Sequence, residues 1–161
     1  MKTFEIREGY VNSIERQSTL WLGKNEYNFA FILDGLNYNV SDQVKTRVFG
    51  ILHGLKDNGK NKKIEIVVIP SHNPNMFKVC VINSTNSKYV QLCEVAADTL
   101  VEGSISYTMS LNNISYCTIT VNGAYEHSIE IDKPLLTKLL SPRRLNSSKA
   151  LNDIYISLEV S

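Results

Sequence analysis

The sequence predicts a mainly β protein with short helices, of the α+β class, built as two small barrels or sheets packed through a connecting helix. Three observations lead there. Several runs of six to eight residues alternate apolar and polar positions, as in Lys63–Ile69, Met76–Asn83 and Tyr116–Val121. Asn, Asp and Gly punctuate these runs, most clearly at Asp34-Gly35, Asp57-Asn58-Gly59 and Asn122-Gly123. Two segments, offset by roughly 90 residues, share one order of features: a strand after Glu-Gly at Glu8-Gly9 and Glu102-Gly103, a second apolar strand, a polar cap, an apolar stretch, a basic connector and a closing strand.

In the first segment, residues 7–16 read as a strand, and YNFAFIL, the turn Asp34-Gly35 and LNYNV form a hairpin. Ser41 then caps a helix whose stripe is Val44, Val48, Ile51, Leu52 and Leu55, spaced for one helical face. Gly50 and Gly54 weaken that helix, and a close approach by another part of the chain would explain them. Strands over Lys63–Ile69 and Met76–Asn83 complete the unit. In the second segment the same reading makes Asp132 a cap and LLTKLL (135–140) helical. No fifth strand follows, so that unit stays open, borrows Phe4 to Ile6, or pairs with another chain. Residues 88–101, with Gln91, Glu94 and Asp98 on one polar face, read as the connecting helix. The expected boundaries are 1–84 for the first unit, 85–101 for the helix and 102–161 for the second, incomplete unit.

The stretch Asn28-Phe29-Ala30-Phe31-Ile32, followed by Asp34-Gly35 and Leu36 to Ser41, resembles a cold-shock or related OB-fold nucleic-acid-binding barrel. The resemblance covers about the N-terminal half and implies aromatic rings offered to single-stranded bases. Aligning Gly35 with Gly123 gives a competing expectation. It lays Phe29, Phe31 and Leu33 over Cys117, Ile119 and Val121, which reads as a buried face. The two readings place the rings on opposite faces of the same strand.

In such a barrel the loops 17–26 and 71–75 rim the ligand face, which would gather Trp21, Lys24, His72 and Asn73. Leu20, Trp21 and Leu22 could equally fold back as an apolar lid. Two basic runs, Lys56, Lys60, Lys62 and Lys63, and Arg143, Arg144 and Lys149, stand out against a net charge of +1. Phosphate contact needs cations without special spacing, and solvated connectors carry such runs too. The candidate binding residues are therefore Trp21, Lys24, Lys60, Lys62, Lys63, His72, Asn73, Arg143 and Arg144.

Other chemistry is sparse. Cys80, Cys93 and Cys117 are widely spaced, and the histidines at 53, 72 and 127 are scattered, so no metal or other cofactor is expected. No phosphate-binding loop, nucleophile elbow or dinucleotide fingerprint is present, which points away from an enzyme without excluding converging groups. With 43% hydrophobic and 20% charged residues and no long apolar run, a soluble, cytoplasmic protein without a membrane span is expected. Two functions follow as expectations: a non-catalytic binder of single-stranded DNA or RNA, or a module that docks on a protein partner or on itself through barrels and an unpaired strand edge. The Asn-rich, low-Cys composition suits a phage or mobile-element origin.

Overall fold

The computed structural model describes residues 1–17, 19–36, 44–83 and 89–161. Its strands are β1 (Lys2–Ile6), β2 (Leu20–Leu22), β3 (Glu26–Asp34), β4 (Thr46–His53), β5 (Lys63–Pro70), β6 (Met76–Asn83) and β7 (Tyr89–Ala96). The later half adds β8 (Val101–Met109), β9 (Ser115–Val121), β10 (Tyr125–Glu130), β11 (Leu136–Leu140), β12 (Arg143–Arg144) and β13 (Ile154–Val160). One sheet has the order β1-β13-β3-β8-β9-β10; the other runs β2-β11-β4-β5-β6-β7, with β12 also pairing β4. The strand pairings are antiparallel, and the two sheets face each other as a β-sandwich.

This replaces the expected pair of OB barrels and the α+β class. Among the described residues the helical structure is a single 3-10 turn, Leu145–Ser147. The segment expected as a helix around Val48 and Ile51 is the central strand β4, with seven of its eight residues buried. A strand buried on both faces is a continuous apolar run, and such a run satisfies helical spacing as readily as strand spacing. Gly50 is explained by crowding: a Cβ there would lie 3.1 Å from Leu140 Cδ1 and 3.3 Å from the Ile64 carbonyl oxygen. The proposed cap Ser41 and the strand expected over 37–40 lie outside the described residues.

Three further elements differ. LLTKLL is β11, paired with β2 on one side and β4 on the other. The expected connecting helix holds β7, an edge strand whose ladder slips at Val79/Cys80, which blurs the alternation that would have marked it. Residues 7–16 form no strand; they lie along the sheet edges through the bridge of Asn12 with Arg143 and hydrogen bonds such as the Ile14 amide to the Glu5 carbonyl.

The two halves of the chain share both sheets. β3 lies between β13 and β8, and β4 between β11 and β5. The segment Phe4 to Ile6 does complete a sheet, pairing Phe4 with Ile156 and Ile6 with Ile154. Phe29 and Phe31 point inward, as do Cys117, Ile119 and Val121. The Phe29 ring meets Phe49 of the opposite sheet at 5.1 Å, and Phe31 meets Phe77 at 6.5 Å. Each fully buried ring contributes roughly 1.5–3 kcal/mol by area alone. These rings hold the sheets together and present nothing to a base.

Candidate functional site

The sandwich distributes the sequence-predicted site residues over three places. Trp21 and Lys24 lie at one end: Trp21 on β2 pairs with Thr137, which pairs with His53 at the end of β4. His72 and Asn73 lie beyond the far end of β5, which starts beside Leu52 and runs away from that end. An eight-residue strand spans roughly 26 Å, so the two groups form no common rim. Asn73 Nδ2 instead donates to Glu94 Oε2 at 2.9 Å. The Trp21 ring turns inward onto Tyr27, edge to face at 5.1 Å, with the Lys24 ammonium 5.9 Å from the Trp21 centroid. Trp21 packs inward in the manner of the apolar-lid alternative, while its neighbours Leu20 and Leu22 stay exposed.

The nucleic-acid reading falls with the barrel on which it rested. Its aromatic strand is interior, its two loops are at opposite ends, and Arg144 is 1% exposed, donating from Nη1 to Thr46 Oγ1 at 3.1 Å. Lys60 and Lys62 are exposed in the β4–β5 connection, while Lys63 pairs with Asp57 at 3.2 Å.

Lys63 and Arg143 share the outer face of the β2-β11-β4-β5-β6-β7 sheet, two rows apart. Strand pairing sets out three rows across it. One is Leu20, Lys138, Leu52 and Lys63; the next is Leu140, Gly50, Glu65, Ile82 and Tyr89; the third is Arg143, Arg47, Val67, Cys80 and Gln91. Val67, Ile69 and Cys80 form a small apolar cluster there, separate from the interior, packed by Ile82 and Leu145. On this floor stands an ion pair: Arg47 Nη1 lies 3.0 Å from Glu65 Oε2, both side chains nearly buried, with Lys63 Nζ 4.0 Å from the other carboxylate oxygen. Arg47 Nε donates to the Ser141 carbonyl at 2.9 Å, which fixes the guanidinium against the sheet.

Beside that pair opens a cleft of about 200 Å³. Its floor is β11, β4 and β12, and its wall is the segment 12–17, held by the Ser13 amide on the Pro142 carbonyl and the Gln17 amide on Ser141 Oγ. Arg16, Arg47, Lys138 and Arg143 line it, against one carboxylate, Asp57, that Lys63 already engages. Arg143 stands directly opposite Arg47 in the ladder, so like charges sit side by side. The Arg143 Nε is buried and has no hydrogen-bond partner. Four cationic side chains against one engaged carboxylate leave the cleft with an excess of positive charge. Arg16, Arg47 and Lys138 were not legible as site residues: Arg47 sat in an expected helix, and the others joined no basic run. Among the described residues there is no cluster of His, Cys, Asp or Glu able to hold a metal ion.

A second polar constellation lies inside, at the Trp21 end. The Tyr27 hydroxyl bonds Thr137 Oγ1 across the sheets, and His53 Nε2 lies 2.6 Å from the Tyr107 hydroxyl. Burial, reinforced by Lys62, lowers the His53 pKa to about 4, and burial raises Tyr107 well above the ordinary phenol range. Burial pushes Cys117 up to about 12. These groups are therefore neutral near pH 7, which suits an interior strut.

No protein-family model matches the sequence, and no curated protein matches it. The likeness is to solved structures. Alginate lyase Aly36B superposes with a TM-score of 0.60 at 13% identity, over 98% of this chain and 78% of that one; a variant of it was solved with an alginate trisaccharide, at a TM-score of 0.62 and 12% identity. An endo-β-1,4-glucuronan lyase from the fungus Trichoderma reesei matches with a TM-score of 0.52 at 14% identity, over 99% of this chain and 79% of that one. An alginate lyase from Pseudomonas aeruginosa matches at 0.56 and 10% identity, over 85% of this chain and 64% of that one. At these identities the shared property is the fold: this chain is a two-sheet β-sandwich of the architecture found in polysaccharide lyases.

Proposed function

We propose that the outer face of the β2-β11-β4-β5-β6-β7 sheet binds an acidic polysaccharide, a chain of uronic-acid residues, with the Arg143 cleft receiving a carboxylate. The observation that carries the reading is the cleft that gathers Arg16, Arg47, Lys138 and Arg143 around one carboxylate, Asp57, which Lys63 already engages. A carboxylate seated in the cleft meets guanidinium and ammonium donors and offsets the charge that Arg143 adds beside the Arg47–Glu65 pair. The near-zero net charge of the chain accords with this, because the attraction is local to one face. The similarity in fold to lyases of alginate and glucuronan supports the same class of ligand.

The test is calorimetric titration of the full chain with alginate oligosaccharides and with neutral cello-oligosaccharides of equal length. Binding is expected for the acidic series alone, weakening as salt rises, because exposed charge interactions are screened within a Debye length of about 8 Å at physiological ionic strength. Arg143→Ala should weaken it about 10- to 100-fold, as expected for loss of a charged hydrogen-bond pair. Equal affinity for the neutral series, or an unaltered Arg143→Ala variant, would overturn the reading.

A further inference from the structure

The same outer face carries a second feature that the Arg143 cleft does not use. At the far end of the row Gly50–Glu65–Ile82–Tyr89, the Tyr89 residue is 48% exposed on the edge strand β7. The Lys45 ammonium stands 4.8 Å from its ring centroid. Next to it lies a cavity of about 340 Å³ lined by Lys45, Lys63, Glu65, Ile82, Asn83, Leu145 and Asn146. The Arg47–Glu65–Lys63 ion row separates this cavity from the Arg143 cleft, and members of that row line both.

Resting on the polysaccharide reading, we infer that Lys45 and Tyr89 form a second sugar subsite, so that the ligand lies across the strands from β12 to β7 and must be longer than a disaccharide to engage both ends. An exposed ring with an ammonium over one face offers its other face to a pyranose and a cation to its carboxylate. Three interstrand spacings and two residues along the strands separate Arg47 from Tyr89, roughly 16 Å from backbone to backbone. A disaccharide lying in the Arg143 cleft falls short of that reach. Between the two ends Val67 and Cys80 are fully buried under Ile82 and Leu145, so the intervening units would pass over the half-buried Ile82 and Leu145.

Affinity of the full chain is measured for alginate disaccharide and tetrasaccharide, with Tyr89→Ala, Lys45→Ala and Arg143→Ala variants alongside. The tetrasaccharide is expected to bind at least about tenfold more tightly than the disaccharide. Tyr89→Ala and Lys45→Ala should each remove most of that gain while leaving disaccharide affinity unchanged, whereas Arg143→Ala weakens both ligands. Tyr89→Phe, which keeps the ring, should retain the gain, and an unchanged thermal midpoint in each variant separates binding from folding. Equal affinity for the two lengths, or a Tyr89→Ala variant that keeps the gain, overturns the second subsite and leaves the Arg143 cleft standing. Absence of binding by both lengths overturns the polysaccharide reading and this inference with it.

Discussion

His53 Nε2 meets the Tyr107 hydroxyl at 2.6 Å across the interior, joining β4 of one sheet to β8 of the other. The imidazole is held neutral by burial, with a pKa near 4 against 6.5 for an open histidine. The unfolded chain therefore binds a proton between those two values that the folded chain excludes, and stability falls as pH drops. It is complete above pH 6.5 and is lost progressively down to about pH 4. Discounted for the partly exposed ring, the contribution is about 1–2 kcal/mol. Thermal midpoints measured between pH 7.5 and 4 should decline more steeply in the native protein than in His53→Phe. Parallel curves for the two proteins would remove His53 from the account.

Gly103 faces Phe29 across the β3–β8 ladder. A Cβ at that position would sit 2.3 Å from Phe29 Cζ and 2.3 Å from the Thr120 carbonyl oxygen. Neither neighbour yields freely, since one belongs to a core ring and the other to the adjacent strand. Gly103→Ala is expected to cost about 2–3 kcal/mol, the upper part of the range for overpacking, read as a lowered urea midpoint with an unchanged slope.

The Arg47–Glu65 pair is nearly excluded from water. Removing either partner strands a buried charge, so Arg47→Ala and Glu65→Ala should each destabilise by about 3 kcal/mol, with the Glu65 side eased by Lys63. The double variant should be less unstable than the sum of the two, and a double-mutant cycle in urea measures the difference. Strict additivity would mean that the pair does not act as a unit.

Trp21 is partly buried on Tyr27 and closes one end of the sandwich. Its emission should be blue-shifted in the folded protein, move to the red on denaturation, and stay unchanged when single-stranded DNA or RNA is added. Trp21→Ala should lower stability by about 2 kcal/mol, less than for a fully buried ring.

The strands with clean alternation were legible. Met76–Asn83 is a strand with those bounds, Lys63–Ile69 extends by Pro70, and the register argument that put Phe29 and Phe31 on the buried face describes where they lie. Legibility failed where a strand is buried on both faces, as in β4, or slips in register at the sheet edge, as in β7. In both, the period of two that marks a half-buried strand is absent, and helical spacing fills the gap. The candidate site was legible in fragments. Lys63 and Arg143 were singled out as charge, but Arg47 gains meaning only as the ladder neighbour of Arg143, and Lys138 only as part of the lining of the same cleft.

By itself the sequence determined that segments with clean alternation such as β3, β5, β6 and β9 are extended, where several turns fall, and which side of β3 and β9 is apolar, because these depend on the pleat and on neighbours a few residues away. Only the tertiary structure decided that the halves interleave in one sandwich, that Trp21 and His72 end up far apart, and that Arg47 stands beside Arg143. Pairing between distant strands is selected by the whole buried interface at once. No local pattern in the chain encodes it, and the cationic face is a consequence of that pairing.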